Sequence, residues 1–152
     1  MDSDGYPEKI ELRTIEKWDA LKDPFGLIDY IEQRWAYKDW GFKKEWGKSD
    51  YAKIVLNLEL HTAGWSGNED LINSVLKNTW FRFYYTMWKR GGHYWFEINP
   101  YSMGWVTVNE YCKKNNVSRQ YVHHNKEKFD WLETGTLKMV KQKLLKEFDK
   151  KL

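Results

Sequence analysis

Hydrophobic and polar positions alternate cleanly in two stretches of the chain. Ile54, Leu56, Leu58 and Leu60 fall on one side of residues 52–61, and Lys53, Asn57, Glu59 and His61 on the other. A two-residue period is that of a half-buried strand. The same period returns over 93–99, with Tyr94, Phe96 and Ile98 on one face. Between the two, Ser66-Gly67-Asn68-Glu69 has the spacing of a capping box. Ile72, Val75, Leu76, Trp80, Phe83, Met87 and Trp88 then form one apolar stripe. The pattern predicts a single long helix, closed by Lys89-Arg90-Gly91-Gly92. A helix of that length permits a parallel crossover, and antiparallel pairing of the two strands stays open.

Towards the start, Thr14 is expected to cap a short helix running to Lys22. Asp23-Pro24 opens a second, with Leu27, Ile28, Ile31 and Trp35 at helical spacing. The aromatic run from Trp40 to Trp46, punctuated by Gly41 and Gly47, suggests a hairpin arm. Towards the end, Leu137, Val140, Leu144, Phe148 and Leu152 have the spacing of a final amphipathic helix. Lys138, Lys141, Lys143, Lys146, Lys150 and Lys151 occupy its polar side. Its apolar stripe favours docking on the body or pairing with a second copy.

Pro and Gly cluster in Asn99-Pro100-Tyr101-Ser102-Met103-Gly104, so the expected units are 1–100 and 101–152. The expectation is therefore an α+β fold. An aromatic-rich body, with a small sheet and a long packed helix, precedes a C-terminal helix-turn-helix and a basic amphipathic helix.

Composition narrows the function classes. The chain has 152 residues, of which 41% are hydrophobic and 31% charged, which excludes a disordered or fibrous chain. Ten Trp, ten Tyr and seven Phe are expected to carry much of the core. Mean hydropathy is −0.83 and no apolar window suits a membrane span. The polar start, Met1-Asp2-Ser3-Asp4-Gly5, does not read as a secretory signal, and Cys112 has no partner for an internal disulfide. Both point to the cytoplasm. Charge divides along the chain. Residues 1–105 hold 14 basic and 16 acidic side chains, and residues 106–152 hold 11 and 6. A basic segment behind a near-neutral body suits a polyanion, and a solvated Lys-rich helix would show the same balance.

Residues 106–124 carry the most specific pattern. Thr107 is placed to cap a helix, with Glu110 three residues on. Cys112 supplies a small residue where two helices would cross, and Asn116 sits where the backbone would turn left-handed. Val117 would pack the turn, Ser118 would cap a second helix and Val122 would pack it on the first. This segment is similar to the helix-turn-helix of DNA-binding regulators and excisionase-like proteins. It departs from their usual residues at Asn116, where Gly is commoner, and at Cys112, where Ala is. The resemblance implies that the second helix enters the major groove of double-stranded DNA. Arg119, Gln120, His123 and His124 would then face base edges, with Ser118, Lys126, Lys113 and Lys114 at phosphates. Adjacent His123 and His124 point apart on a helix and have no third ligand, so they are not assigned as a metal site.

Two segments of the body are also distinctive: Thr62-Ala63-Gly64-Trp65-Ser66-Gly67-Asn68-Glu69 and Arg90-Gly91-Gly92-His93-Tyr94-Trp95-Phe96-Glu97. With the aromatic stretch between them they resemble small uncharacterised proteins encoded by bacteriophages. That resemblance implies an origin and no chemistry. The Ser66–Asn68 turn presents backbone N–H groups to an anion if Ser66 and Glu69 do not already use them as caps. Glu59 and His61 share a polar face, as do His93 and Glu97. If the strands pair in a suitable register these four, with Arg90 and Ser66 at the ends, suit acid–base work or metal binding. No nucleophile elbow, phosphate-binding loop, HExxH or Cys-pair motif is present. No cofactor is expected, and catalysis is not favoured.

Three functions follow as expectations. The first is a phage-type accessory protein that binds double-stranded DNA in a regulatory role, possible also as a homodimer. The second is an inhibitor of a host protein such as a defence factor, with the helix-turn-helix as scaffold; exposure among Trp40, Trp46, Trp65 and Trp95 would favour it. The third is a small hydrolase or nuclease at Glu59, His61, His93 and Glu97.

Overall fold

The two alternating segments pair directly with one another. β2 (Val55–His61) and β4 (His93–Ile98) run antiparallel, with Leu58 opposite Phe96 and His61 opposite His93. β1 (Phe42–Gly47) pairs with the other side of β2, and β3 (Tyr85–Lys89) with the far side of β4, in the order β1-β2-β4-β3. The structure is a computed structural model that describes residues 1–50, 54–134 and 137–143. The chain divides into two units, Met1–Asn99 and a second beginning at Pro100, and the whole is α+β.

In the first unit, α1 (Lys9–Lys17), α2 (Pro24–Glu32), the short α3 (Lys38–Gly41) and α4 (Ser66–Lys77) accompany the sheet. Leu58, Leu60, Phe96 and Ile98 from the strands are buried, as are Ile15, Leu27, Ile28, Ile31, Leu71, Ile72 and Val75 from the helices. Removing such a side chain from water stabilises by ~1.5–3 kcal/mol. The register puts Lys43, Glu45, Asn57, Glu59, His61, His93, Trp95 and Glu97 on the opposite, polar face.

The second helix starts where the sequence indicates. Pro24 is its first residue, and the Gly26 N–H donates to Asp23 Oδ1 at 2.9 Å. The first does not. Thr14 lies inside α1 with its hydroxyl donating to the Ile10 carbonyl at 2.8 Å, and Glu8 is the cap residue. Glu11 decides this. Its carboxylate accepts from the Glu8 N–H (2.9 Å), from Arg34 Nε (2.8 Å) and from the terminal amine (2.6 Å).

The long helix is also corrected. α4 ends at Lys77, and Asn78, a 3₁₀ turn over Phe81–Tyr84 and β3 follow. Trp80, Phe83, Met87 and Trp88, expected to continue the buried stripe, are instead among the most exposed apolar side chains. The run is rich in aromatic residues, which suit a pleated surface as well as a helix. Nor does Ser66 cap α4. Trp65 holds the cap position, without a side-chain bond to the helix, and Ser66 is the first helical residue. Arg90-Gly91-Gly92 forms the β3–β4 turn rather than a helix end. Gly92 has φ +80°, and a Cβ there would collide with the Thr62 hydroxyl.

The second unit contains β5 (Val106–Thr107), α5 (Val108–Asn115), α6 (Arg119–His124), β6 (Phe129–Thr134) and β7 (Leu137–Gln142). Its sheet is ordered β5-β7-β6, all antiparallel. Val108, Val122, Phe129 and Val140 form its core, with Val106, Tyr111, Cys112, Val117 and Trp131 packed around them. Residues 137–142 are thus a strand, not the start of an amphipathic helix. β7 is the central strand, and adjacent Met139 and Val140 are both buried. A strand covered on both sides loses the alternation that would reveal it. The remainder of the expected helix, Leu144, Phe148, Leu152, Lys146, Lys150 and Lys151, lies outside the described residues.

Burial alone would raise the Glu11 pKa, but hydrogen bonds from the terminal amine, the Glu8 N–H and Arg34 outweigh it and hold the carboxyl below its ordinary value. A depressed carboxylate stabilises the fold above its unfolded-state pKa, and that contribution is lost as pH falls through the folded value. Glu11→Gln should cost ~1–3 kcal/mol in urea unfolding at neutral pH, because Arg34 loses its partner. The deficit should shrink as pH falls below the ordinary carboxylate range and through the lowered folded value.

Candidate functional site

Two short helices joined by a tight turn dominate the second unit. Thr107 caps α5: its hydroxyl accepts from the Glu110 N–H at 3.2 Å, and the Glu110 carboxylate accepts from the Thr107 N–H at 2.9 Å. The chain leaves α5 through Asn116 at φ 52° and ψ 47°, the left-handed conformation that Asn tolerates better than most residues. The Val117 N–H returns to the Cys112 carbonyl at 3.1 Å. Ser118 caps α6 through a 3.1 Å bond from the Tyr121 N–H. Val122 then anchors α6 in the core.

At 100° per residue, Gln120 and His124 project roughly opposite Val122. Both are exposed, as is Arg119. His123 is turned to the side and its ring lies 5.3 Å from that of Trp131 in β6. Lys126 Nζ sits 5.2 Å over the same indole, whose Nε1 donates to the Lys126 carbonyl at 3.3 Å. Lys113 and Lys114 are exposed in the last turn of α5. The Ser118 hydroxyl oxygen is engaged as a cap. Arg119, Gln120, His124, Lys113, Lys114 and Lys126 are thus exposed, Lys126 over the Trp131 ring, while His123 is half-buried beside it.

Two side chains beside α6, Lys138 and Tyr121, were not placed next to it by the sequence. Arg119 lines a cleft of about 220 Å³ with Thr107, Val108, Asn109, Leu137 and Lys138. Lys138 reaches it from β7, a strand whose sequence imitated a helix. Tyr121 is 41% exposed on α6, with Lys128 Nζ 5.8 Å from its ring. An aromatic residue beside a capped helix start was the available signal.

The polar face of the first unit holds a second constellation. His61 and His93 are direct cross-strand partners, with their Nδ1 atoms 2.8 Å apart. His61 Nε2 lies 3.3 Å from Glu59 Oε2. Trp40, Trp95 and the His93 ring surround His61, at centroid separations of 5.6, 5.7 and 4.9 Å. Burial lowers the His61 pKa, and His93 and Lys43 add to this, while the bond to Glu59 opposes it. Glu59, His61 and His93 are therefore brought together. Glu97 is not: it faces Asn57, beyond Trp95. Arg90 is exposed in the β3–β4 turn. Among the described residues, no group of three or more His, Cys, Asp or Glu side chains is placed to hold a metal ion.

In the Ser66–Asn68 turn the Asn68 side chain points inward. Asn68 is fully buried. Its Oδ1 accepts from the Ala36 N–H and its Nδ2 donates to the Ala36 carbonyl, both at 2.9 Å. Ser66 is exposed, and the Glu69 N–H donates to the Trp65 carbonyl at 3.1 Å. Asn68 thus ties the start of α4 to the chain after α2. Trp65 stacks on Tyr6 at 4.7 Å.

No protein-family model matches the chain, no curated protein sequence is significantly similar to it, and no solved structure matches its fold. Among the described residues no helix is long and apolar enough to cross a membrane.

Thr107→Ala should cost ~1 kcal/mol, the usual loss of a side-chain cap. Asn116→Val should cost ~1–2 kcal/mol, because a β-branched residue resists the left-handed conformation, whereas Asn116→Gly should be neutral or stabilising. Amide hydrogen exchange within α5 and α6 reads these changes directly.

Proposed function

We propose that the protein binds double-stranded DNA through α5 and α6, which act as a helix-turn-helix, in the manner of a phage-encoded accessory regulator. The observation that carries this reading is the pair of side-chain-capped helices around a left-handed Asn116, which leaves Gln120 and His124 pointing away from the core. Gln120 and His124 then read base edges, and Gln is suited to adenine. Arg119 has two roles open to it, bidentate contact with guanine or, with Lys138 across the cleft, a clamp on a phosphate. Lys113 and Lys114 neutralise the backbone, and His123 and Lys126 are held by Trp131 as supports.

A second reading, an interface for a host protein, is favoured by one observation in the first unit. Trp40, Trp80, Phe83 and Trp88 are about half exposed or more. Large exposed aromatic side chains are typical anchors of protein interfaces. The two readings separate by location, since duplex binding should be insensitive to Trp88→Ala and Phe83→Ala.

In fluorescence anisotropy with a selected duplex, Arg119→Ala should weaken binding by ~1–3 kcal/mol and relax sequence preference at one position. Equal weakening on every sequence would make Arg119 a phosphate contact. The double change Lys113→Ala, Lys114→Ala should weaken all duplexes alike and lower the salt slope by about one unit per lysine. Wild-type affinity in both sets of variants would refute the helix pair as the DNA-binding surface.

A further inference from the structure

The polar face of the four-stranded sheet has no part in the proposed DNA contact. We propose that His61 and His93 form a binding site for a transition-metal dication of the zinc, nickel or copper class. The two histidines are cross-strand partners, and each turns the same ring nitrogen, Nδ1, towards the other at 2.8 Å. The rings meet edge to face, with centroids 4.9 Å apart and planes at 66°. Two nitrogens facing each other in this way can share either a proton or a cation. A tetrahedral ion with Zn–N bonds of about 2.0–2.1 Å holds two imidazole nitrogens about 3.3 Å apart. The two nitrogens must therefore separate by about 0.5 Å to admit the ion.

Glu59 leaves the His61 Nδ1 open to a proton or a cation. Its carboxylate lies 3.3 Å from the remote nitrogen of His61, where it accepts the Nε2–H. That fixes the tautomer, so the Nδ1 lone pair points at His93. A carboxylate on the far nitrogen is the outer partner that metal-ligating histidines usually have. Imidazole donors select zinc, nickel and copper over magnesium and calcium. Only two protein donors converge, so water completes the coordination and positions stay open for an exchangeable ligand. Lys43, opposite Glu59, and Lys89, opposite His93, oppose a cation and set an upper limit on affinity. Trp95, within 6.2 Å of both rings, and Trp40, 5.6 Å from His61, make the site self-reporting.

The test is titration of the chelator-stripped full chain with Zn²⁺, Ni²⁺ and Mg²⁺, followed by calorimetry and by tryptophan fluorescence. The expected result is one equivalent of Zn²⁺ or Ni²⁺ bound, quenching by Ni²⁺ that Trp95→Phe reduces, and no response to Mg²⁺. His93→Ala, at a half-exposed position, should abolish binding. Glu59→Gln should weaken it about 10–100-fold. The change of His123 and His124 together to Ala should leave it intact, which separates this site from the other two histidines of the chain. Long-range ¹H–¹⁵N spectra of the wild-type protein give a readout independent of variants. Both Nδ1 resonances should shift on Zn²⁺ addition. Absence of binding by either ion, unchanged binding in His93→Ala, or unshifted Nδ1 resonances at saturating Zn²⁺ would overturn the proposal, and the histidines would then share a proton only.

Discussion

The buried amide of Asn78 sets the course of the first unit. Its Nδ2 donates to the carbonyls of Ile15 (2.8 Å) and Trp18 (2.9 Å), and its Oδ1 accepts from the Phe81 N–H (3.0 Å). Left unpaired at this depth, such a group would cost ~1–3 kcal/mol, so the three bonds are a strong constraint. They tie the end of α1 to the end of α4 and impose the turn that releases the chain into β3. β3 in turn covers β4 and delivers the hairpin from which His93 meets His61. One side chain thus links helix packing to the arrangement of the polar face.

Short-range chemistry was legible in the sequence wherever it met no competition. The alternation of Leu56, Leu58 and Leu60 marks β2, and Asp23-Pro24 marks the start of α2, because each signal is satisfied locally. The same holds for Thr107, Glu110, Asn116 and Ser118, whose capping bonds close within a few residues. Tertiary partners decided the rest. Glu11 moved a helix start from Thr14 to Glu8 through a local bond from the Glu8 N–H and through Arg34, which lies 23 residues away in sequence. Asn78 cut a stripe that continues at helical spacing to Trp88, and its partners on α1 are about sixty residues upstream. β7 concealed itself because a central strand buries neighbouring residues on both faces, and with it went Lys138. Of the polar cluster, alternation placed Glu59 and His61 on one face, but only the register could join them to His93 and separate Glu97.

The two units offer different chemistry. The second carries the excess of basic side chains, and its helix pair displays polar and cationic groups that suit a polyanion. The first keeps its aromatic residues partly at the surface, around β3, and holds its histidines on a polar face beneath Trp40. The two proposals rest on different residues, so DNA binding and the histidine site can be probed by separate substitutions.

The most direct measurement of duplex binding is the affinity of the full chain for double-stranded DNA across a salt series. Phosphate contacts by Lys113, Lys114 and Lys138, with Arg119 as a fourth if it takes a phosphate rather than guanine, predict that log K falls linearly with log salt, with a slope of roughly −3 to −4 at about −0.9 per contact. Enrichment of one sequence above random duplex would add base readout. No binding at ~50 mM salt, where such contacts are strongest, would contradict the reading and leave the exposed aromatic surface of the first unit as the place to seek a partner.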